Sequence, residues 1–313
     1  MFSIIVPLYN KAQFVQRAID SVMGQSFREF EVIVVNDGST DGGEKMLKGY
    51  GEKIKLITQT NQGVSLARNR GIYESRYPWI AFLDADDFWQ PNYLETMYQG
   101  IAQFPQAGIL GCSYSQSLEG LDKSDLQGWF QVDDYFKRAI VNTLFFTSAT
   151  VIKKSFFLEN PGFDRDLSRG EDLDVWFRGA LFFGKPVYNF SKLVFYSQED
   201  AGQATNRVFP VEKSLVSKIL REDYLFGAKG ISWKDFELFR KQYVYFNLFP
   251  YLRNSQNDAT ALLLLEQLRG SQWLLRWVYL LPFDLLRKVM RHTWGKNLLR
   301  NYLKFCLRFL NRR

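Results

Sequence analysis

Along the first part of the chain, short apolar runs alternate with segments whose apolar residues recur every three or four positions. The runs at residues 2–8, 30–35, 54–58, 79–83 and 109–114 are bounded by turn-forming residues and predict strands, the one at 79–83 a buried central strand. Between the first two, Phe14, Val15, Ala18, Ile19, Val22 and Met23 follow helical spacing, and Asn10 with Gln13 gives a capping-box signature for that helix. A polar helix to about Lys48 follows the dense turn at residues 36–43. Val64, Ala67, Arg68 and Gly71 mark a helix after Asn61-Gln62-Gly63, and residues 91–104 mark another, with Pro91 in its first turn. This β-α-β-α-β-α-β order predicts an α/β fold with a largely parallel sheet and right-handed crossovers.

Beyond that point the pattern loosens. Residues 118–137 read as a loop with a short helix, 143–152 as a strand, and 161–170 as a loop. Leu173, Trp176, Phe177, Ala180 and Leu181 then predict a helix that opens at Glu171-Asp172. Residues 186–190 and 193–196 read as two short strands. From about residue 211 the texture becomes helical and rich in Phe, Tyr and Leu, in segments 211–226, 233–248 and 259–268. The chain therefore divides into an α/β domain over 1–205 and a helical region over 206–313. There is no internal repeat.

Composition narrows the chemistry. The 313 residues, 46% hydrophobic, suffice for one large or two modest domains. The opening residues show no basic stretch and no cleavage site, so no signal peptide is expected. Two distant cysteines, Cys112 and Cys306, fit a reducing cytosolic setting. With His292 the single histidine, His-rich metal sites are excluded. Charge is uneven: residues 271–313 hold ten Lys/Arg against one acid, Asp284, for a local +9. The whole chain is +7, so residues 1–270 carry −2. The basic character belongs to the tail, and no nucleic-acid partner is expected.

The candidate chemistry begins at residues 79–89, W-I-A-F-L-D-A-D-D-F-W. A core strand there ends in Asp84, Asp86 and Asp87. Ligands of open α/β sheets bind beyond the carboxyl ends of the strands. A hard cation, Mg²⁺ or Mn²⁺, would relieve the repulsion among these carboxylates and bring a phosphate-bearing substrate with it. The dinucleotide and P-loop fingerprints are both missing, so metal and basic side chains would have to hold any phosphates. Asp37 follows the second strand and Arg68 lies in the helix after the third, so both converge on the edge that carries Asp84 and Asp86. Glu171 and Asp172 open a later helix, whose dipole stabilises carboxylates.

Together these motifs resemble an inverting family 2 glycosyltransferase with the GT-A fold. The matching residues are Ile4-Ile5-Val6-Pro7-Leu8-Tyr9-Asn10, Val34-Val35-Asn36-Asp37-Gly38-Ser39-Thr40-Asp41 and Asn61-Gln62-Gly63-Val64-Ser65-Leu66-Ala67-Arg68-Asn69. The family's D-x-D matches Phe82-Leu83-Asp84-Ala85-Asp86-Asp87, and its later motifs match Gly162-Phe163-Asp164 and Gly170-Glu171-Asp172-Leu173-Asp174-Val175-Trp176. The resemblance covers about residues 1–200. It implies a nucleotide-diphospho-sugar donor, expected to be a UDP-sugar, held by Pro7, Tyr9, Asn10, Asp37, Arg68, Asp84 and Asp86. It implies Mn²⁺ or Mg²⁺ on Asp86, Asp84 by the ribose, Asp37 accepting from the base, and Arg68 at the nucleotide or diphosphate. Asp172 matches the base that deprotonates the acceptor hydroxyl, with Glu171 and Asp87 in support, whereas Asp164 and Asp174 read as structural.

The implied reaction moves one sugar to a glycan or lipid-linked acceptor, with inversion, in cell-surface polysaccharide or glycoconjugate synthesis. The processive subgroup carries Q-x-x-R-W. Here Gln272-Trp273-Leu274-Leu275-Arg276-Trp277 has one residue too many, and no transmembrane run accompanies it. A non-processive enzyme is therefore expected. A sugar nucleotidyltransferase would need a Gly- and Lys-rich loop after strand one, which Pro7-Leu8-Tyr9-Asn10-Lys11 is not. A non-catalytic glycan- or membrane-binding protein would not need every matched carboxylate. Acceptor contacts are expected in residues 113–134 and after Tyr196. In the tail, Leu298, Leu299, Tyr302, Leu303, Cys306, Phe309 and Leu310 share helical spacing, opposite Arg300, Asn301, Lys304, Arg308, Asn311 and Arg312. That predicts an amphipathic anchor on an anionic membrane surface, with the protein peripheral to the inner face of the cell membrane.

Overall fold

The computed structural model describes residues 1–121, 128–199, 209–221, 233–270 and 272–310. Its centre is a nine-stranded mixed sheet. The first elements alternate as expected: β1 (Phe2–Leu8), α1 (Ala12–Met23), β2 (Phe30–Asp37), a 3-10 segment (Gly43–Lys53), β3 (Lys55–Gln59), α2 (Val64–Glu74) and β4 (Trp79–Phe82). β3, β2, β1 and β4 are neighbours in that order, all parallel. β1 and β4 are buried along their whole length, which explains their near-continuous apolar sequence.

The remaining elements complete the sheet less regularly. They are β5 (Phe88–Trp89), α3 (Tyr93–Gln103), β6 (Ile109–Ser115), β7 (Trp129–Gln131), α4 (Tyr135–Ala139), β8 (Thr150–Lys153), α5 (Ser155–Glu159), α6 (Glu171–Phe183) and β9 (Val187–Phe195). β8 lies antiparallel between β4 and β6, so the fifth predicted strand does not touch the fourth. β9 runs parallel to β6, while β7 and β5 pair antiparallel with its two ends. Four sequence expectations change here. The predicted strand over 143–152 is a strand only from Thr150; before it, Thr147–Ala149 form a 3-10 corner. The two predicted short strands are the single β9. The capping box does not form, because Asn10 adopts a positive φ and spends its side chain on Thr40, while Asp41 accepts from the Ala12 amide at 2.8 Å. Pro91 precedes α3 and is not in its first turn.

Successive residues of β1 serve opposite faces. Ile4, Val6 and Leu8 pack with Val15, Ile19 and Val22 of α1, and Ile5 packs in the other core with Phe82 and Trp176. That second core continues without a break into the C-terminal helices: α7 (Leu215–Lys218), α8 (Trp233–Leu248), α9 (Asp258–Gln267), α10 (Trp273–Arg276), α11 (Phe283–Met290) and α12 (Thr293–Leu310). The predicted helix over 211–226 is a 3-10 turn plus α7 within the described residues. The boundary placed near residue 205, like Asn311 and Arg312, lies outside them. The tail's expected apolar face is split: Leu299, Leu303 and Cys306 are buried, whereas Leu298 and Phe309 face out. Among the described residues no helix is long and apolar enough to cross a membrane.

Candidate active site

The loops at the carboxyl ends of β1, β2 and β3 are tied to one another by side chains that fold back on backbone. The Asn10 amide donates to Ser39 Oγ at 3.1 Å, and Asn10 Oδ1 accepts from the Thr40 amide at 2.8 Å. Pro7 ends up within β1 and Tyr9 beyond it, 47% exposed. Asp37, the last residue of β2, is buried. It accepts from Gln59 Nε2 at 2.8 Å and from the amides of Gln62 and Gly63 at 2.9 and 2.8 Å. The turn demands glycine at Gly38, where φ is +74° and a Cβ would lie 2.9 Å from the Asn61 nitrogen.

The loop after β4 carries the acidic triplet, and each carboxylate has a different environment. Asp87 is buried and accepts from Ser148 Oγ at 2.5 Å and from the Ser197 amide at 3.0 Å. Ser148 Oγ also accepts from the Asp84 amide at 3.1 Å, so the corner before β8 clips this loop in place. Burial, with the charge of Asp84 behind it, pushes the Asp87 carboxyl well above the usual range, against those two hydrogen bonds. Asp86 forms an ion pair with Lys11, and its carbonyl accepts from Arg17 at 3.1 Å. Arg17 in turn lies over the Phe88 ring. Burial and then Asp84 raise the Asp86 carboxyl, and Lys11 opposes them.

Arg68, read from the sequence as a donor contact, is 4% exposed and forms a strut. One terminal nitrogen meets Asp84 at 2.8 Å, the other meets Glu171 at 3.2 Å, and the guanidinium lies over the Phe163 ring. Burial would depress its pKa, but Asp84 and Glu171 outweigh burial and raise it. The strut joins the D-x-D loop to the start of α6, where Gly170 caps the helix at φ +80°. Next to Glu171, Asp172 accepts from Thr147 Oγ1 at 3.0 Å and from the Leu173 amide at 2.8 Å. Its carboxyl is pushed up to about 6, first by burial and then by Glu171, with Arg68, Leu173 and Thr147 pulling the other way.

Asp174 and Asp164 belong to a different network. Asp174 is fully buried, 2.8 Å from Arg178 and 3.0 Å from Lys218, and Lys218 also meets Asp164 at 2.8 Å. Arg178 further donates to the carbonyls of Pro161 and Gly162. Burial opposes ionisation of Asp164, but Lys218 outweighs it and holds that carboxyl below its usual range.

Several site residues escape sequence reasoning. Lys11, Thr147 and Ser148 act on carboxylates that lie far away in sequence. Beside them lies an aromatic cluster, of which only Tyr114 falls inside a segment where acceptor contacts are expected. Tyr114, Phe146 and Tyr196 meet with centroids 4.8–5.7 Å apart, next to Thr147 and Ser197. At the amino ends of the strands lies a hollow lined by Glu31, Glu52, Lys55, Glu74 and Arg76. Ion pairs of Lys55 with Glu74 at 2.6 Å and of Arg76 with Glu31 at 3.3 Å cross it.

No group of three or more His, Cys, Asp or Glu among the described residues is placed to hold a metal alone. The donor set still fits a hard divalent cation that arrives with phosphate. Asp86 is a partly buried carboxylate, raised despite Lys11, and Mg²⁺-type sites commonly pair one or two carboxylates with substrate oxygens.

A family model described as glycosyl transferase family 2 matches residues 3–159. Glycosyltransferase GlyA of Streptococcus pneumoniae is 33% identical over 162 residues, covering 50% of this chain and 23% of that protein. Uncharacterized glycosyltransferase RP339 of Rickettsia prowazekii is 30% identical over 213 residues, covering 66% of each. The chain thus spans less than two thirds of the length of these relatives. Among solved structures, S. aureus TarS 1–349 in complex with UDP-GlcNAc aligns at a TM-score of 0.62 and 18% identity, over 98% of this chain and 90% of that one. The mannosyltransferase PcManGT from Pyrobaculum calidifontis, in complex with GDP-Man and Mn²⁺, aligns at 0.54 and 15% identity, over 99% and 86%. Both likenesses are of fold.

Proposed function

Because the chain belongs to glycosyl transferase family 2 and has a GT-A fold, we propose that it transfers a single sugar from a UDP-sugar to a hydroxyl of a glycan or lipid-linked acceptor, inverting the anomeric carbon. The observation that carries this reading is the continuous link Asp84–Arg68–Glu171 beside Asp172. It sets a proton-accepting carboxylate at a fixed place relative to the loop that would hold the donor.

In this mechanism the acceptor hydroxyl approaches along the Tyr114, Phe146 and Tyr196 wall. Its proton passes to Asp172 as its oxygen bonds to the anomeric carbon, and the bond from that carbon to the diphosphate breaks on the opposite face. Thr147 and the Leu173 amide hold Asp172 in orientation. Asp37 and the half-exposed Tyr9 meet the base, Pro7 and Asn10 shape the loop around it, and Asp84 meets the ribose. Arg68 acts on the donor through Asp84, and Asp87 fixes the loop through Ser148 and Ser197. Asp86 would hold Mn²⁺ or Mg²⁺, which when bound supplies Lewis-acid neutralisation of the leaving diphosphate.

The test is transfer and hydrolysis of a panel of UDP-sugars with and without Mn²⁺ or Mg²⁺, with the product anomer read by NMR. The expected outcome is metal-dependent release of UDP and an inverted linkage, both abolished in Asp86→Ala. Full activity in excess chelator would sink the metal role. A retained anomer would sink the single displacement. UDP-sugar formation from a sugar phosphate and UTP would favour a nucleotidyltransferase instead.

A further inference from the structure

The C-terminal helices carry a surface that sugar transfer does not use. In α12 one stripe, with Leu299, Leu303, Cys306 and Leu307, is buried in the core. A second apolar stripe remains outside: Trp294, Leu298, Phe305 and Phe309 are 64%, 58%, 66% and 55% exposed. At the helical repeat these four fall within a sector of roughly 60°. Arg300, Lys304 and Arg308 line its flank, where an ordinary surface helix would carry polar residues of both signs. The neighbouring α10 and the 3-10 turn Trp277–Leu280 repeat the arrangement, with Trp273, Trp277 and Leu280 exposed. The Tyr302 hydroxyl donates to the Leu274 carbonyl at 3.0 Å and holds the two helices together.

Exposed apolar surface of this kind marks an interaction site, and the charge around it selects the occupant. Residues 271–313 carry +9, and their one acid, Asp284, is bound to Arg287 at 2.7 Å. An anionic lipid surface offers apolar depth for the aromatics and negative charge for the basic flank, with tryptophan at headgroup level. Since none of the described helices can cross a bilayer, the fit is to the interface.

We propose that α10–α12 dock this protein on an anionic lipid surface, the Trp and Phe side chains entering the headgroup layer and Arg300, Lys304 and Arg308 facing its phosphates. The proposal stands apart from the transfer reading.

The experiment is sedimentation of the full chain with vesicles of phosphatidylcholine alone or mixed with phosphatidylglycerol. Binding should appear on the mixed vesicles at low salt and weaken at high salt. Combined Arg300→Glu, Lys304→Glu and Arg308→Glu should lower partitioning at least about tenfold, as should combined Trp294→Ser, Phe305→Ser and Phe309→Ser. Circular dichroism should stay unchanged in both variants, showing that they fold. Absence of binding to the mixed vesicles would overturn the proposal. So would equal binding to neutral vesicles that charge reversal leaves untouched. An oligomer in analytical ultracentrifugation that the Phe305→Ser and Phe309→Ser changes dissociate would show that a second copy covers the stripe, and would overturn it too.

Discussion

Asp172 and Asp174 stand two residues apart in the first turn of α6, and the fold treats them in opposite ways. Asp174 is sealed inside with Arg178 and Lys218 at 2.8 and 3.0 Å. Asp172 faces Thr147, with Glu171 beside it, and its strongest nearby cation, Arg68, is already bound to Asp84 and Glu171. A carboxylate that is given cations becomes a strut. One whose cation is shared with its neighbours keeps an appetite for a proton. The contrast separates positional chemistry from composition, since both residues are aspartates on one helix.

The most forceful way to break the comparison is to neutralise each member. Asp172→Asn should lower transfer by roughly 10²–10⁴-fold, while UDP affinity by calorimetry stays near that of the unaltered protein. Its melting temperature at pH 8 should hold or rise, because a penalised charge has been removed. If transfer survives, Glu171 becomes the candidate base.

Asp174→Ala should do the reverse. It strands Arg178 and Lys218 and should cost about 3–5 kcal/mol in urea unfolding, with activity per folded molecule largely kept at low temperature. A stable Asp174→Ala protein would remove the strut reading.

The pH profiles should diverge next. Asp172 must be ionised to take a proton, so transfer should fall as pH drops through about 6. For stability the signs oppose. The raised folded pKa of Asp172 contributes stability that is complete below its unfolded value, about 3.9, and is lost as pH rises through about 6. The lowered Asp164 contributes stability above its unfolded value, and loses it as pH falls through the folded one. Melting curves of Asp172→Asn and Asp164→Asn across this range should shift in opposite directions with pH.

The smallest expected effect is that of Thr147→Val, which removes a hydrogen bond that favours ionised Asp172. The acid limb of the rate profile should move upward by up to about one pH unit, with the rate at pH 8 nearly unchanged. Thr147→Ser should restore the original limb.

Much of this was legible in the sequence where the physics is local. β1, β2 and β4 are buried apolar runs ending in turn residues, and they lie where the periodicity places them. The convergence of Asp37, Arg68, Asp84 and Asp86 follows from parallel strand order alone. What stayed hidden depends on distant partners. The apolar run at residues 143–152 gives no hint that its middle turns so that Thr147 reaches Asp172 and Ser148 reaches Asp87. β5 is two residues long, too short for any period to show. Asn10 looks like a cap until Asp41 is seen in that role. In α12 one periodicity contains two apolar stripes, and only packing shows which one the core takes.

The antiparallel insertion of β8 also sets an order of construction. The rungs of β4 with β8, such as Trp79 with Lys153, close a long loop of chain, at a cost in conformational entropy that local contacts do not bear. On the ribosome, β1 to β4 and the acidic loop emerge first, while Ser148, Thr147 and Asp172 are still unmade. A nascent chain stopped short of residue 147 carries Asp84, Asp86 and Asp87 but neither Ser148 nor Asp172. The acidic loop is thus secured by a serine that is translated 61 residues after Asp87.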